Sequence, residues 1–486
     1  MSQKVLLIGL DCAPPELVFE AFLDDMPNVR RLMETGVYGP LESTIPAITV
    51  PAWMSMMTSK DPGVLGFYGI RNRTDRSYHK MAVANSRLVR EDTLWDILSV
   101  AGRRVVLVGV PQTYPPKPVN GCMITSFLTP SIESQYTYPA ELKQEIAGLV
   151  GEYMLDVRDF RTENKDDLLS QIYEMTEKRM KVAQQLMRTR EWDYFMVVEM
   201  GTDRIHHGFW RFMDRTHRKY EPGKYEHAIR DYYRYLDREI GALVGLAGPE
   251  TAVAVVSDHG AKRIDGGICV NEWLVREGYL KLKAVPERPT PLEQVEVDWD
   301  NTVAWGAGGY YARIFLNVKG REPQGVVDPA DYERVRDELA ERLQAIPDEK
   351  GRPIPTQAFK PQEIYRACNG VPPDLIVYFG DLLWRSIGQV GGGAIHTFEN
   401  DTGPDDANHA QHGIFILNDR RGGRGRCAEG LHLRDVAPTV LHLMGLPVPE
   451  DMTGRVITGG DAPEGQVYTA EEEEIIQKRL KDLGYL

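Results

Sequence analysis

Short apolar runs punctuate this chain at residues 5–9, 104–110, 194–199, 252–257, 375–378 and 413–417. Each is nearly continuous in apolar residues instead of alternating, the pattern of strands buried on both faces. Between them lie stretches with helical spacing, at 93–101, 165–188, 225–246, 329–345 and 434–444. Strands of that kind alternating with helices predict an α/β fold: a central, mostly parallel sheet with helices on both of its faces.

Two further stretches change the picture of organisation. Residues 284–300 carry Pro286, Pro289 and Pro291 among charged residues and read as a connection, either a surface loop or a subdomain boundary. The tail, 470–486, opens with an acidic block and continues through Ile475, Ile476, Leu480 and Leu483, which predicts a docking helix with its acidic end at the N-terminus. No internal repeat interrupts the chain, and residues 1–486 read as one elaborated domain.

Composition narrows the class. Hydrophobic residues make up 42% of the 486 residues, yet no apolar run approaches a membrane span, which takes about 20 residues. The start, Met1-Ser2-Gln3-Lys4, passes directly into the first strand without signal-peptide features, so a soluble, cytoplasmic protein is expected. The cysteines, Cys12, Cys122, Cys269, Cys368 and Cys427, are scattered and lack CxxC pairing, which argues against a disulfide framework and a zinc knuckle. A net charge of −14 disfavours a nucleic-acid polymer as partner. It leaves a phosphate substrate open, because divalent ions can make a site locally positive. Nothing in the sequence specifies an oligomeric state.

Ligands of open α/β sheets gather at the carboxyl ends of strands, and polar residues cluster there in this chain. Asp11 follows the first run, Asp258-His259-Gly260 follows the fourth, and Asp203 lies just past the third with His207 four residues on. That spacing can place both side chains on one side of a helical turn. Asn408-His409-Ala410-Gln411-His412-Gly413 precedes the last run. Carboxylate and imidazole together suit zinc or manganese, whereas calcium takes oxygens alone. Taken singly, a lone Asp after a strand is more often a helix cap or turn residue and a lone DxxxH a solvated helix face; four elements with compatible ligands at strand ends of one chain shift the reading to a metal site. Thr49, two residues before Pro51 and a helical pattern at 54–58, is placed at or near a helix N-terminus, as a cap or as a group activated there.

In this order the residues resemble the alkaline phosphatase superfamily, and within it the type I phosphodiesterase and nucleotide pyrophosphatase branch. The resemblance runs through Asp11, Thr49-Val50-Pro51-Ala52, Asp203-x-x-x-His207, Asp258-His259-Gly260, His412-Gly413, and Asp435-Val436-Ala437-Pro438-Thr439 to Gly454-Arg455. The segment 314–323 is similar to that of a bacterial and archaeal subgroup of phosphohydrolases and phosphomutases. The resemblance implies a three-layer α/β/α sandwich and two divalent metal ions, zinc foremost and manganese second. Asp203, His207 and His412 would hold one ion. Asp11, Asp258, His259 and Thr49 would hold the other, with Thr49 as nucleophile and a phosphothreonine enzyme as intermediate. The substrate implied is a small phosphate ester, with a phosphodiester foremost and phosphomonoesterase or phosphomutase chemistry as the alternatives. Ala52 departs from the family's pattern, which often has an asparagine there to bind a phosphate oxygen. Lys262, Arg263, Arg321, His206 and His409 are the remaining candidates for substrate or supporting contacts. A sulfatase is disfavoured, since 49–53 contains neither the convertible Cys or Ser nor the arginine.

Overall fold

The structure is a computed structural model that describes residues 3–420 and 425–458. The expected docking helix at 470–486 lies outside the described residues. Five strands run parallel at the centre of the main sheet, in the order Ala252–Val256, Val5–Leu10, Tyr194–Glu199, Val105–Val108 and Gly121–Ile124. Beyond Ala252–Val256 the sheet continues with His412–Asn418 and then Val37–Glu42, each antiparallel to its neighbour. Val5–Leu10, Tyr194–Glu199 and Ala252–Val256 are buried along their whole length, which is why they read as apolar runs.

Helices cover the sheet in two groups. Lys165–Thr189, Gly201–Met213, Ala228–Ala247 and Pro27–Glu34 pack together, while Thr49–Thr58, Leu94–Val100 and Val436–Leu443 form a separate layer. The layered α/β architecture is therefore the one that the hydrophobic pattern predicts. Local chemistry fixes the helix ends. The Thr93 hydroxyl accepts from the Asp96 N–H, and the Asp96 carboxylate accepts in return from the Thr93 N–H, so Leu94–Val100 starts on a capping box. Among the described residues no helix is long and apolar enough to cross a membrane.

A second core interrupts the main one. Ala304–Ala307, Ala312–Leu316, Leu375–Tyr378 and Gln357–Phe359 make an antiparallel sheet whose apolar cluster includes Trp273, Leu316, Val377 and Trp384. The proline-rich stretch 284–300 lies within this unit, where Thr290–Pro291 pairs with Gln389–Val390. Leu375–Tyr378, expected in the parallel sheet, belongs here instead. Its Leu375 and Val377 enter the second core, while Ile376 and Tyr378 face a seam with Ala47, Ile48, Tyr68 and Tyr311. Burial on both faces gave it the continuous apolar pattern of a parallel strand.

The seam fastens the second unit to the loop before Thr49. The Tyr378 hydroxyl accepts from the Ala47 N–H at 2.8 Å, and the Tyr365 hydroxyl donates to the Ile45 carbonyl. Close by, Gly260–Arg263 and Ala407–Ala410 pair antiparallel where the chain leaves the main sheet and returns to it.

Candidate active site

The carboxyl ends of the central strands converge on one buried cluster. Asp11 ends the step out of Val5–Leu10, and Asp258 and His259 follow Ala252–Val256. Asp203 and His207 sit one helical turn apart on Gly201–Met213, the helix that follows Tyr194–Glu199. Thr49 is the first residue of Thr49–Thr58. Pairing of Ala261 with His409 across the two return strands brings His409 into the same space. Asp11, Asp203, His207, Asp258, His259 and His409 are each no more than 3% exposed.

Two ligand groups can be separated. In the first, Asp203 Oδ1 lies 3.3 Å from His207 Nε2 and 3.7 Å from His409 Nε2, and the Cys12 thiol belongs to the same group. The other ring nitrogens are anchored: His207 Nδ1 is 2.7 Å from Asp405 Oδ1, and His409 Nδ1 is 2.9 Å from the Ala47 carbonyl. Anchoring of this kind fixes the tautomer and leaves Nε2 free to ligate. Arg204 holds the outer oxygen of Asp203 and also pairs with Asp156.

The second group is Asp11, Asp258 and His259, with His259 Nε2 3.1 Å from Asp258 Oδ2 and 3.9 Å from Asp11 Oδ1. Thr49 Oγ1 reaches this group, 3.5 Å from Asp11 Oδ1 and 3.4 Å from His259 Nε2. Trp53, one turn along from Thr49, donates from Nε1 to Asp11 Oδ2 at 2.7 Å. Gly9 makes room for that indole, since a Cβ there would lie 2.4 Å from the Trp53 ring. At the helix start the N–H groups of Thr49 and Val50 have no backbone acceptor, Pro51 has no N–H, and Ala52 N–H bonds Ile48. The free N–H groups and the helix dipole favour an anion beside Thr49.

Electrostatics identify what the cluster is built to hold. Burial, reinforced by the Asp203 charge, pushes the Asp11 carboxyl up to about 8. Burial and then Asp11 push Asp258 well above the usual carboxylate range. Burial opposes ionisation of Asp203 as well, but His207 and Arg204 prevail and hold it well below that range. Burial drives His259 down to about 4 and, with His259 and His207 beside it, takes His409 well below the ordinary imidazole value. Burial opposes protonation of His207 too, but Asp405 and Asp203 draw it up to about 9, so an ion bound at its Nε2 would displace a proton. Crowded carboxylates together with imidazoles are the donor set of a divalent cation. The buried atoms His207 Nε2, His409 Nε2 and Asp258 Oδ2 have no hydrogen-bond partner, and they face into the two groups. Orphaned buried acceptors of this kind are costly unless something ligates them. The residues present therefore fit two divalent ions.

Several expected site residues lie elsewhere. His412 is exposed at the start of His412–Asn418, opposite Glu42, and takes no part in either group; His409 stands in the first group in its place. The two histidines are an odd number of residues apart in near-extended chain, so their side chains point to opposite faces. Lys262 makes a surface pair with Asp381, and Arg263 pairs with Asp265. Arg321 is bidentate to Asp374 and also pairs with Glu322. His206 is buried against Tyr233 and Trp210, with its Nε2 3.2 Å from the Tyr233 hydroxyl. Sequence reasoning missed Asp405, Arg204, Trp53 and Tyr310. Tyr310 reaches in from the second unit, its ring 4.3 Å from that of His409 and 5.0 Å from that of His207. Asp405 and Tyr310 carry no spacing signal, because they meet the site through tertiary packing, whereas Trp53, one turn from Thr49, and Arg204, next to Asp203, lie beside named residues in the sequence.

Known proteins share this fold. Murine ectonucleotide pyrophosphatase/phosphodiesterase 5, as an inactive variant in complex with AMP, is 13% identical with a TM-score of 0.54, covering 92% of this chain and 96% of that one. The human ectonucleotide pyrophosphatase/phosphodiesterase 5 structure is 13% identical with a TM-score of 0.53, covering 94% and 97%. Phosphonoacetate hydrolase from Sinorhizobium meliloti 1021, in complex with phosphonoacetate, is 17% identical with a TM-score of 0.58, covering 91% and 96%. At those identities the likeness is one of fold. No curated protein sequence matches the chain. The family model for type I phosphodiesterase / nucleotide pyrophosphatase matches residues 5–413, a span that holds every residue of both ligand groups, and the chain belongs to that family.

Proposed function

We propose that this protein is a two-metal phosphodiesterase that cleaves a small phosphate ester through a covalent phosphothreonine at Thr49. The observation that carries the reading is the position of the Thr49 hydroxyl: it sits on the first residue of a helix, touches Asp11 and His259, and stands beside two groups of buried ligand atoms. Membership of the family supports hydrolysis of a phosphoric ester.

Asp203, His207 and His409 would hold one ion, and Asp11, Asp258 and His259 the other with Thr49. Divalent ions bound there supply Lewis acidity toward phosphoryl oxygens and acidify ligated hydroxyls. Zinc suits this mixed imidazole and carboxylate set best, and manganese is the alternative. The residues do the rest. Thr49 Oγ1 passes its proton to solvent, since Asp11 Oδ1 and His259 Nε2 would be committed as ligands, and forms a bond to phosphorus as the ester oxygen leaves and takes up a proton from water. The free N–H groups of Thr49 and Val50 face the phosphoryl oxygens and replace the amide that Ala52 lacks. Trp53 keeps Asp11 in place throughout, and Asp405 keeps His207 in place. In the second half, water attacks the same phosphorus and Thr49 recovers its hydroxyl. Thr49 is only 5% exposed, and the aromatic ring of Tyr310 lies over His207 and His409. So enclosed a site supports a small ester over a nucleic-acid polymer.

The test is to trap the intermediate. Zinc-loaded protein mixed with a diester bearing a good leaving group and quenched early should gain the mass of one phosphoryl monoester on the peptide containing Thr49. Thr49→Ala should gain none. An adduct on another residue, or turnover by Thr49→Ala at the wild-type rate, would overturn the reading.

A further inference from the structure

Cys12 is the one member of the first ligand group that the mechanism leaves unused. Its Sγ, an oxygen of Asp203 and a ring nitrogen from each of His207 and His409 all lie within 4.8 Å of one another, and all four residues are buried. Zinc–sulfur and zinc–nitrogen bonds of about 2.3 and 2.0 Å suit donors gathered on that scale. The two imidazole Nε2 atoms in the group have no hydrogen-bond partner, so the space between them and the thiol is lined by atoms that lack a ligand.

The backbone at this position is unusual as well. Cys12 has φ of +67°, in the left-handed region, where glycine is the default. In that conformation its N–H donates to Asp258 Oδ1 at 3.1 Å, while its side chain turns toward the first group. One residue therefore steadies a ligand of the second group through its backbone and offers a donor to the first through its sulfur. Glycine would meet the backbone requirement without strain, so the thiol is the part that backbone geometry does not explain.

We infer that Cys12 is a fourth protein ligand of the ion held by Asp203, His207 and His409, making that centre a thiolate site that selects zinc over manganese and that would take a phosphoryl oxygen only as a fifth ligand. The inference rests on the metal reading of the cluster. Its chemistry follows from softness: thiolate favours zinc, whereas manganese prefers oxygen donors. If Cys12 were only a buried filler donating to the Gly260 carbonyl, 3.3 Å away, replacement by glycine would relieve the backbone and leave metal affinity unchanged.

Cobalt(II) substitution reads the bond directly. The full-length protein loaded with cobalt should show a near-ultraviolet thiolate-to-cobalt charge-transfer band. Cys12→Gly and Cys12→Ser should lose it while retaining the visible bands of bound cobalt, and Cys122→Ser, a buried cysteine of the main core, should keep it. Zinc affinity of Cys12→Gly, measured by competition with a chelating dye, should fall at least about 10-fold, the scale lost even when an outer partner of a ligand is removed. Cobalt bound to wild type without the band, or a band that survives in Cys12→Gly, overturns the inference alone. Failure of wild type to bind cobalt or zinc at all overturns the metal reading with it.

Discussion

Three imidazoles in this site share one arrangement: His207, His259 and His409 each have Nδ1 against an oxygen, which turns Nε2 toward the carboxylates. The prediction that follows separates His409 from His412. Replacing His409 by alanine should weaken zinc binding by at least about 100-fold, since a ligand is lost, whereas His412→Ala, at an exposed position, should leave it within about 2-fold. Equilibrium dialysis against zinc of both variants decides between them. Asp405 is the supporting case. Burial opposes its ionisation, but His207, Arg161 and Arg385 draw its carboxyl down to about 2, so at neutral pH it is a charged acceptor for His207 Nδ1. Asp405→Asn should lower zinc affinity about 10- to 100-fold with every ligand still present. A change below about 2-fold by the same dialysis would show that the ring is held by its surroundings alone.

At the scale of elements, the active site depends on a helix lying close against a strand. Gly9 lets Trp53 of Thr49–Thr58 settle on Val5–Leu10, and the same indole bonds Asp11. Gly9→Ala forces the two apart and should cost about 1–3 kcal/mol of stability, read by denaturant unfolding, along with activity. An unchanged unfolding midpoint would mean that the contact has room to spare. Elements of this kind were legible in sequence. Strands buried on both faces announced themselves as apolar runs, and the residues at their ends, Asp11, Asp203 and Asp258, lay where the fold places ligands. Two features were not legible. Leu375–Tyr378 carries the same apolar pattern in an antiparallel sheet because alternate residues face two different cores. The choice between His409 and His412 turns on which face of a strand looks inward, and that is set by pairing with Gly260–Arg263, far away in the chain.

For the whole molecule, the return from the second unit passes through Asp406, which is 2% exposed and has one oxygen without a partner. Burial raises its carboxyl from 3.8 to about 7 against the pull of Lys165 and Arg211. The folded protein therefore holds a proton that the unfolded chain has released. That contribution to stability is full below pH 3.8, shrinks as pH rises, and is lost by about pH 7. Asp406→Asn removes the burden of the charge. It should stabilise the protein at pH 8 by on the order of 1–3 kcal/mol and by much less at pH 4. Thermal unfolding of both proteins across that range checks the sign, and a stabilisation over wild type that is larger at pH 4 than at pH 8 would contradict it.

The enclosure of Thr49 also bears on the proposed chemistry, because a buried hydroxyl of this kind favours a small ester over a polymer. The most direct test compares turnover of bis-p-nitrophenyl phosphate with that of p-nitrophenyl phosphate by zinc-loaded protein, with Thr49→Ala as the control. A two-metal phosphodiesterase should cleave the diester faster, lose activity on chelation, and lose about 10⁴-fold or more in Thr49→Ala. Metal-loaded protein that cleaves neither ester, or a Thr49→Ala variant as active as wild type, would contradict it.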